Sequence, residues 1–288
     1  MLAAALLVAS ALAPVTAFTA PAVQAAGTAC HHRADCRPGG LGPALTARLD
    51  RPIADVREQA GIPGAVVGLW MQGRGSYVRA GGTADTATGK PMAADSFVRI
   101  GSETKTFTVT ALLELVDAHR IGLDDPIARY VHGVPGGRRI TLRQLAEMRS
   151  GLFPYTSDPD FVHALLSDPL FPKGAEFPEP HPHGYTDQTL SGDTGEARRQ
   201  RLRTLPTGFP GTGYGLGIFE TNGWIGHNGS IPGYETVTVC LPSQKATPVI
   251  MINTDSRRDG QEPSTVLARA ITGIVTPDNL YDGAVVTR

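Results

Sequence analysis

The sequence has little lysine and almost no net charge. Among 288 residues, Lys occurs only at positions 90, 105, 173 and 245, and the 26 Lys and Arg residues nearly balance the 27 Asp and Glu residues. No field of one sign therefore covers the whole protein, which argues against nucleic acid or an anionic membrane as its partner. Because 41% of the residues are hydrophobic, the chain can bury one substantial core. We expect a globular domain that acts on a small molecule.

Cysteine is also scarce, with only Cys30, Cys36 and Cys240 in the chain. Cys30 and Cys36 enclose a short polar segment, which indicates a local disulfide if the protein is exported. The alternative is a metal site that also uses His31 and His32, although this spacing is short for a zinc knuckle. Cys240 lies in an apolar run typical of a strand, where we expect a buried thiol.

Charge is absent from residues 2–26, which consist mainly of Ala, Leu and Val. This composition is typical of the apolar region of a signal peptide, and a membrane anchor is the alternative. Pro14 and Pro21 interrupt the segment, which favours cleavage. We therefore expect a signal peptide over 1–25, a flexible tail over 26–40, a secreted protein, and no stable membrane span after cleavage.

The periodicity of the apolar residues predicts a mixed α+β domain over 41–276, followed by a C-terminal tail over 277–288. The predicted helices cover about 45–60, 102–121, 142–148 and 263–274. The predicted strands cover 64–71, 76–80, 213–219, 234–241 and 247–253. A loop is expected from Gly81 to Lys90, and an irregular region over 153–207. This order favours an antiparallel sheet whose first and last strands come from opposite ends of the chain, flanked by the terminal helices.

Ser102 and Lys105 form the only Ser-x-x-Lys in the chain, at the start of the strongest helical pattern. Serine is a natural N-cap, and the helix dipole favours negative charge on its oxygen. Lys105 lies one turn further on, so its amine reaches the same face. A lysine held away from water can lose its proton near neutral pH and activate a serine. The alternative is a capping serine followed by a solvated lysine.

A second polar motif, Gly226-His227-Asn228-Gly229-Ser230, precedes the predicted strand 234–241. Its two glycines allow the backbone to pass close to a ligand, and a following edge strand offers N–H groups to an acyl group. The alternative is a turn that carries an exposed histidine.

Several further motifs accompany these two in a fixed order along the chain. They are Gly101–Phe107, Leu123–Ile127, Ile140–Leu145, Ser150–Leu152, Gly213–Ile218, Gly226–Gly229 and Pro232–Tyr234. Together they resemble the class C β-lactamase and D-alanyl-D-alanine carboxypeptidase family of the serine β-lactamase and penicillin-binding protein superfamily. The resemblance covers about residues 41–152 and 199–274. It implies a β-lactamase/transpeptidase-like sheet with a helical subdomain at about 103–212.

The resemblance also implies roles for individual residues. Ser102 is acylated, Lys105 assists its deprotonation, and His227-Asn228-Gly229 is the third element of the active site. The backbone N–H groups of Ser102 and Ser230 would hold the oxyanion. The implied substrates are a peptidoglycan stem peptide, a β-lactam or a small ester. His227 favours a carboxypeptidase, because lysine is expected there in a β-lactamase of this class. No cofactor and no metal are expected.

One departure from the family pattern concerns its Tyr-x-Asn motif. The chain contains no asparagine before Asn222, so neither Tyr155 nor Tyr185 belongs to such a motif. The helical subdomain is therefore expected to be shortened, with Tyr185 as a candidate substitute for the missing tyrosine. A second hypothesis follows, in which the protein is a catalytically impaired penicillin-binding-like protein that binds peptidoglycan fragments or acylates without efficient turnover.

Overall fold

The computed structural model describes residues 40–153, 158–160, 163, 167 and 212–283. The predicted leader and tail, the Cys30–Cys36 pair, Tyr155 and Tyr185 lie outside the described residues. So do residues 168–211 of the predicted helical subdomain and the last five residues of the chain.

The described part of the chain is built around one antiparallel sheet. Its strands are β1 (Gly64–Met71), β2 (Gly75–Asp85), β3 (Lys90–Pro91), β4 (Thr212–Tyr214), β5 (Phe219–Thr221), β6 (Trp224–Ile231), β7 (Tyr234–Cys240) and β8 (Ala246–Ile252). Their order in the sheet is β3-β2-β1-β8-β7-β6-β5-β4. The first strand, β1, pairs with the last, β8, with Gly68 opposite Val249. The α+β prediction, with strands from opposite ends of the chain side by side, is confirmed.

Helices cover both faces of the sheet. They are α1 (Pro43–Gln59), α2 (Thr104–Asp117), α3 (Leu142–Ala146) and α4 (Pro263–Val275). Leu49 of α1 and Leu267 of α4 join the main core with the strands, whereas Leu113 of α2 belongs to a second, smaller core with Leu216. Strand β1 contributes its alternate residues Ala65, Val67, Leu69 and Met71 to the main core. Within the described residues, no helix combines the length and apolar character that a bilayer span requires.

Two predicted strands have different bounds in the structure. Strand β2 continues through Gly81 and Gly82 to Asp85, where a loop was expected. The Asn253 side chain stabilises this extension, because its Nδ2 donates to the Thr83 and Ala84 carbonyls at 2.9 and 3.1 Å. This long-range contact leaves no signal in the local sequence.

The predicted strand 213–219 is instead two short strands, β4 and β5, joined by a turn at Gly217 with φ of +67°. Two hydrogen bonds with helices outside the sheet hold this turn in place. The Gly217 N–H donates to the Ala146 carbonyl at 2.9 Å, and Thr106 Oγ1 donates to the Gly217 carbonyl at 2.6 Å. Helices α2 and α3 therefore determine where this strand is interrupted.

Cys240 is the last residue of β7 and a free thiol. It is half-buried, where full burial was expected.

The segment Ile100–Gly101, just before Ser102, lies directly against strand β6. A Cβ atom added to Gly229 would stand 1.9 Å from the Ile100 carbonyl oxygen, and one added to Gly101 would stand 2.8 Å from the Ser230 nitrogen. Thr236 Oγ1 on β7 donates to the same Ile100 carbonyl at 3.1 Å. Only glycine allows these two backbones to approach so closely.

We expect Gly229→Ala to destabilise the fold by at least about 2 kcal/mol, because the new methyl group overlaps a backbone carbonyl that cannot move aside alone. The free energy of unfolding, measured with urea, checks this. Gly81→Ala is the matched control, since a Cβ there meets nothing within 4 Å. Equal free energies of unfolding of the two variants would contradict this expectation and show that the Ile100 segment moves aside at little cost.

Candidate active site

Ser102 and Lys105 are in direct contact. The Lys105 Nζ donates to Ser102 Oγ at 2.7 Å, and both side chains are half-buried. Ser102 lies in a 3-10 turn, Gly101–Glu103, that runs directly into α2. The (i, i+3) spacing thus brings the two side chains together across one turn. The prediction that they share one face is confirmed by this contact.

The prediction that Ser102 is the N-cap of the helix is wrong. The N-cap of α2 is Glu103, and that of the preceding 3-10 turn is Ile100, with no side-chain capping bond at either. The Thr104 N–H donates to carbonyls of the turn itself, so the two helical segments are continuous. The serine hydroxyl contacts the lysine amine instead.

Burial lowers the pKa of Lys105 below its usual range. Its ammonium form is poorly solvated here, and a larger fraction of neutral amine is present near neutral pH than for a surface lysine. A neutral amine at hydrogen-bonding distance can accept the proton of the serine hydroxyl. The pair therefore has the arrangement of a nucleophile and its base.

Residues 226–230 form part of strand β6, which excludes the alternative interpretation of a turn. Strand β6 pairs with β7 over 225–231, but with β5 only over 224–226. In the described structure, residues 227–231 thus have β7 on one side and no strand on the other. The prediction that strand 234–241 is an edge is wrong, because β7 is paired with both β6 and β8. Among the described residues, the edge is instead a portion of β6 itself, next to the turn that carries Ser102.

Asn228 and Ser230 have different surroundings from Ser102. The Asn228 Nδ2 donates to Glu262 Oε2 at 3.5 Å, and Glu262 is the residue before α4. The Ser230 side chain is exposed, whereas its backbone contacts Gly101. The structure thus brings Ser102 and Lys105 to the backbone of Gly229 and Ser230, but the Asn228 side chain extends toward Glu262.

His227 is 6% exposed, where the alternative interpretation expected an exposed side chain. Its Nδ1 contacts the Asn228 carbonyl, which only accepts hydrogen bonds, so Nδ1 carries the proton. Its Nε2 therefore accepts a hydrogen bond from Tyr214 Oη at 3.1 Å. Burial, together with the charge of nearby Lys105, lowers the pKa of His227 to about 4, and the hydrogen bond to the Asn228 carbonyl opposes this shift. The imidazole is neutral at pH 7.

Sequence reasoning missed Glu103, which is 6% exposed and is the last residue of the turn that carries Ser102. Its Oε2 accepts from Thr238 Oγ1 at 3.1 Å, and its Oε1 has no hydrogen-bond partner among the described residues. Burial raises the pKa of Glu103 to about 7, while the nearby hydroxyl groups of Thr236 and Thr238 act in the opposite direction. Sequence reasoning also did not single out Tyr214, although the Gly-Tyr-Gly-Leu-Gly motif containing it was part of the resemblance.

We expect Glu103→Gln to remove a pH-dependent destabilisation. The folded protein holds the carboxyl proton more tightly than the unfolded chain, so stability falls as pH rises from about 4.5 to about 7. The full loss is up to about 3 kcal/mol, and the glutamine variant avoids it. Urea unfolding at several pH values measures this difference.

Glu58→Gln, which removes an exposed carboxylate of α1, is the matched control. If the free energy of unfolding depends on pH in the same way in the wild type and in Glu103→Gln, the raised pKa of Glu103 is contradicted.

Comparison with known proteins gives one family match and partial relatives. Residues 49–187 match the β-lactamase family model. Esterase EstB from Burkholderia gladioli is 36% identical over 87 residues, which make up 30% of this chain and 22% of EstB. The match thus spans about a fifth of that curated relative.

Two solved structures have a similar fold. The D-amino acid amidase from Ochrobactrum anthropi SV3, complexed with D-phenylalanine, aligns with a TM-score of 0.61 and 17% identity, over 81% of this chain and 98% of the amidase. The octameric penicillin-binding protein homologue from Pyrococcus abyssi aligns with a TM-score of 0.58 and 17% identity, over 80% of this chain and 77% of that chain. At such identities the likeness concerns the fold alone. Residues 49–187 thus match the β-lactamase family model, and the fold of the described residues is similar to that of a penicillin-binding protein homologue.

Proposed function

We propose that the protein is a serine hydrolase that forms an acyl-enzyme at Ser102. The observation that carries the proposal is the 2.7 Å contact between Lys105 Nζ and Ser102 Oγ, combined with the lowered pKa of the lysine. Neutral Lys105 takes the hydroxyl proton as Oγ attacks the substrate carbonyl carbon. The same proton then passes to the leaving amine or alcohol as its bond to the acyl group breaks.

The backbone around Ser102 supplies a site for the oxyanion. We propose the N–H groups of Ser102 and Ser230 as its donors, as the family resemblance implies. The contact between Gly101 and the Ser230 nitrogen supports this, because it brings the two backbone segments next to each other. Backbone donors held in place by the fold stabilise the developing negative charge without reorganisation.

The acyl donors proposed from the motifs are a D-alanyl-D-alanine stem peptide of peptidoglycan, a β-lactam, or a small ester. All of them react through the same kind of tetrahedral intermediate, so the catalytic pair alone does not distinguish them. EstB is named as an esterase and the Ochrobactrum protein as an amidase, which supports ester and amide carbonyls as substrates. The proposed leader over 1–25 would export the enzyme to the compartment that contains peptidoglycan.

We expect a penicillin probe to add one acyl group to the wild-type protein and none to Ser102→Ala, as measured by intact mass. Lys105→Ala should slow the labelling by roughly 10²- to 10⁴-fold, because it removes the base. Ser243→Ala, an exposed serine in the turn after β7, is the matched control and should be labelled like the wild type. Labelling that persists in Ser102→Ala would exclude Ser102 as the nucleophile.

A second candidate function is acylation without efficient turnover. The specific observation that favours it is the absence of any asparagine before Asn222, and hence of a Tyr-x-Asn motif. If the base that activates the deacylating water is missing, the acyl-enzyme accumulates.

We therefore expect a burst of product followed by a steady-state rate roughly 10²- to 10⁴-fold slower than the burst. Burst kinetics with a chromogenic β-lactam and a D-alanyl-D-alanine peptide measure both phases. Tyr185→Phe, compared with Tyr155→Phe, tests the candidate substitute. Fast turnover that only Tyr185→Phe abolishes would make Tyr185 the replacement base, and fast turnover in both variants would contradict the impairment.

A further inference from the structure

Strand β7 contacts the chain on both sides of Ser102 through two threonines. Thr236 Oγ1 donates to the carbonyl of Ile100, two residues before Ser102, at 3.1 Å. Thr238 Oγ1 donates to Oε2 of Glu103, the residue directly after Ser102, also at 3.1 Å. The side chains at 236 and 238 lie on the same face of β7, because side chains alternate along a strand. Both contacts therefore hold the turn that carries Ser102 from one face of the sheet.

We propose that Glu103 is a positioning residue for acylation, which in its protonated form rests against Thr238 and fixes the orientation of Ser102. The inference rests on the proposed acyl-Ser102 chemistry and adds a residue on which that chemistry depends. Glu103 does not contact the reacting atoms in this role, and it acts through the backbone of the turn. Its ionisation moves the turn and slows acylation.

The surroundings of the Glu103 carboxyl group suit a neutral group. The side chain is 6% exposed, and Oε1 is buried without a hydrogen-bond partner among the described residues. A buried carboxylate with an unpaired oxygen costs far more free energy than a neutral carboxyl group in the same place. Burial accordingly raises the pKa of Glu103 to about 7. Both forms of the group are thus populated near neutral pH.

Among the described residues, the groups around Glu103 are neutral at pH 7 apart from Lys105. Strand β7 contributes two threonine hydroxyls, and His227 of β6 is a neutral imidazole. Burial and nearby carboxylates, Glu103 included, raise the pKa of Tyr281, so its phenol is neutral. Lys105 of α2 donates to Ser102, and burial lowers its own pKa. The pKa of Glu103 stays raised in these surroundings, so charge on Lys105 does not offset the burial of the carboxyl group.

Ionisation of Glu103 affects Ser102 through the backbone. The carboxylate is stabilised by water or by donors that its buried position lacks, and movement of the turn gives access to them. Because one peptide bond joins Glu103 to Ser102, this movement displaces Oγ from its contact with Lys105. A displacement of about 1 Å in a reacting group costs up to roughly 10²-fold in rate. Acylation by the Glu103 carboxylate form is therefore slow, against the rise with pH that deprotonation of Lys105 gives.

The ratio of the acylation rate constants of wild type and Glu103→Gln isolates this effect, because deprotonation of Lys105 affects both proteins. The second-order rate constant is measured with a penicillin, by intact mass, and with p-nitrophenyl acetate, by release of p-nitrophenol above the Ser102→Ala background. We expect a ratio near one below about pH 6 and a roughly tenfold lower ratio at about pH 8, where roughly a tenth of Glu103 is protonated. The change should lie in the acylation step and not in substrate affinity, since Glu103 does not touch the substrate.

Glu235→Gln is the matched control for Glu103→Gln. Glu235 is 1% exposed, and burial raises the pKa of its carboxyl group as well. Its Oε2 accepts from the Ser264 N–H of α4 at 3.0 Å, so the side chain faces α4 and not the turn. The ratio of wild type to Glu235→Gln should stay constant with pH. A fall like that expected for Glu103→Gln would show a general effect of buried carboxyl groups and contradict the assignment to Glu103.

The contact with Thr238 is tested at about pH 6, where Glu103 is mostly protonated. Thr238→Val removes the hydroxyl and should lower the acylation rate constant by roughly tenfold or more, because the turn loses one of its two tethers. Thr238→Ser keeps the hydroxyl and should restore the rate to within roughly threefold of the wild type. Thr272→Val, which removes a buried hydroxyl of α4 that accepts from the Tyr281 N–H at 3.1 Å, should acylate like the wild type.

A ratio of wild type to Glu103→Gln that does not change with pH would refute the positioning role while leaving acyl-Ser102 chemistry intact. Acylation of Thr238→Val as fast as that of the wild type would do the same. If neither probe acylates the wild type at any pH, the proposed function is wrong and the positioning role is refuted with it. Urea unfolding of each variant shows that the rates belong to folded protein, and the Glu103→Gln ratio decides the proposal if Thr238→Val does not fold.

Discussion

The site depends on the close approach of two backbones, the Ile100–Gly101 segment and strand β6 at Gly229–Ser230. Neither glycine position leaves room for a Cβ atom, and Thr236 holds the Ile100 carbonyl from the neighbouring strand. Helix α2 is held at its other side by the Gly217 turn, which Thr106 binds at 2.6 Å. The turn Gly101–Glu103 and the start of α2 are therefore held between strand β6 and the turn at Gly217. This clamp places Ser102 and Lys105 next to the part of β6 that pairs with β7 alone among the described residues.

Burial disfavours the charged form of three ionisable groups near the clamp. It lowers the pKa of Lys105, lowers that of His227 to about 4, and raises that of Glu103 to about 7. In each case the low-dielectric surroundings disfavour the charged form. A single physical cause thus produces a lysine able to accept a proton, a neutral imidazole and a carboxyl that holds its proton.

Features that depend on neighbours along the chain were predictable. The Ser102–Lys105 contact follows from the (i, i+3) spacing, and the bounds of β1 follow from a continuous apolar run. Features that depend on distant residues were not. The prolonged β2 needs Asn253, more than 160 residues away in sequence, and the break at Gly217 needs α2 and α3. The local sequence does not distinguish Glu103 from an exposed polar residue, because the sheet that buries it is formed by residues distant in the chain.

The sequence by itself determined the α+β class, the pairing of strands from opposite ends of the chain, and Ser102 with Lys105 as a candidate nucleophile and base. These follow from the periodicity of the apolar residues and from the spacing of residues that are close in the sequence. Only the tertiary structure decided that His227 is buried and neutral, that Tyr214 holds it, and that the Asn228 side chain extends toward Glu262. The physical reason is that the protonation state of a side chain depends on desolvation and on hydrogen-bond partners that folding brings from other strands.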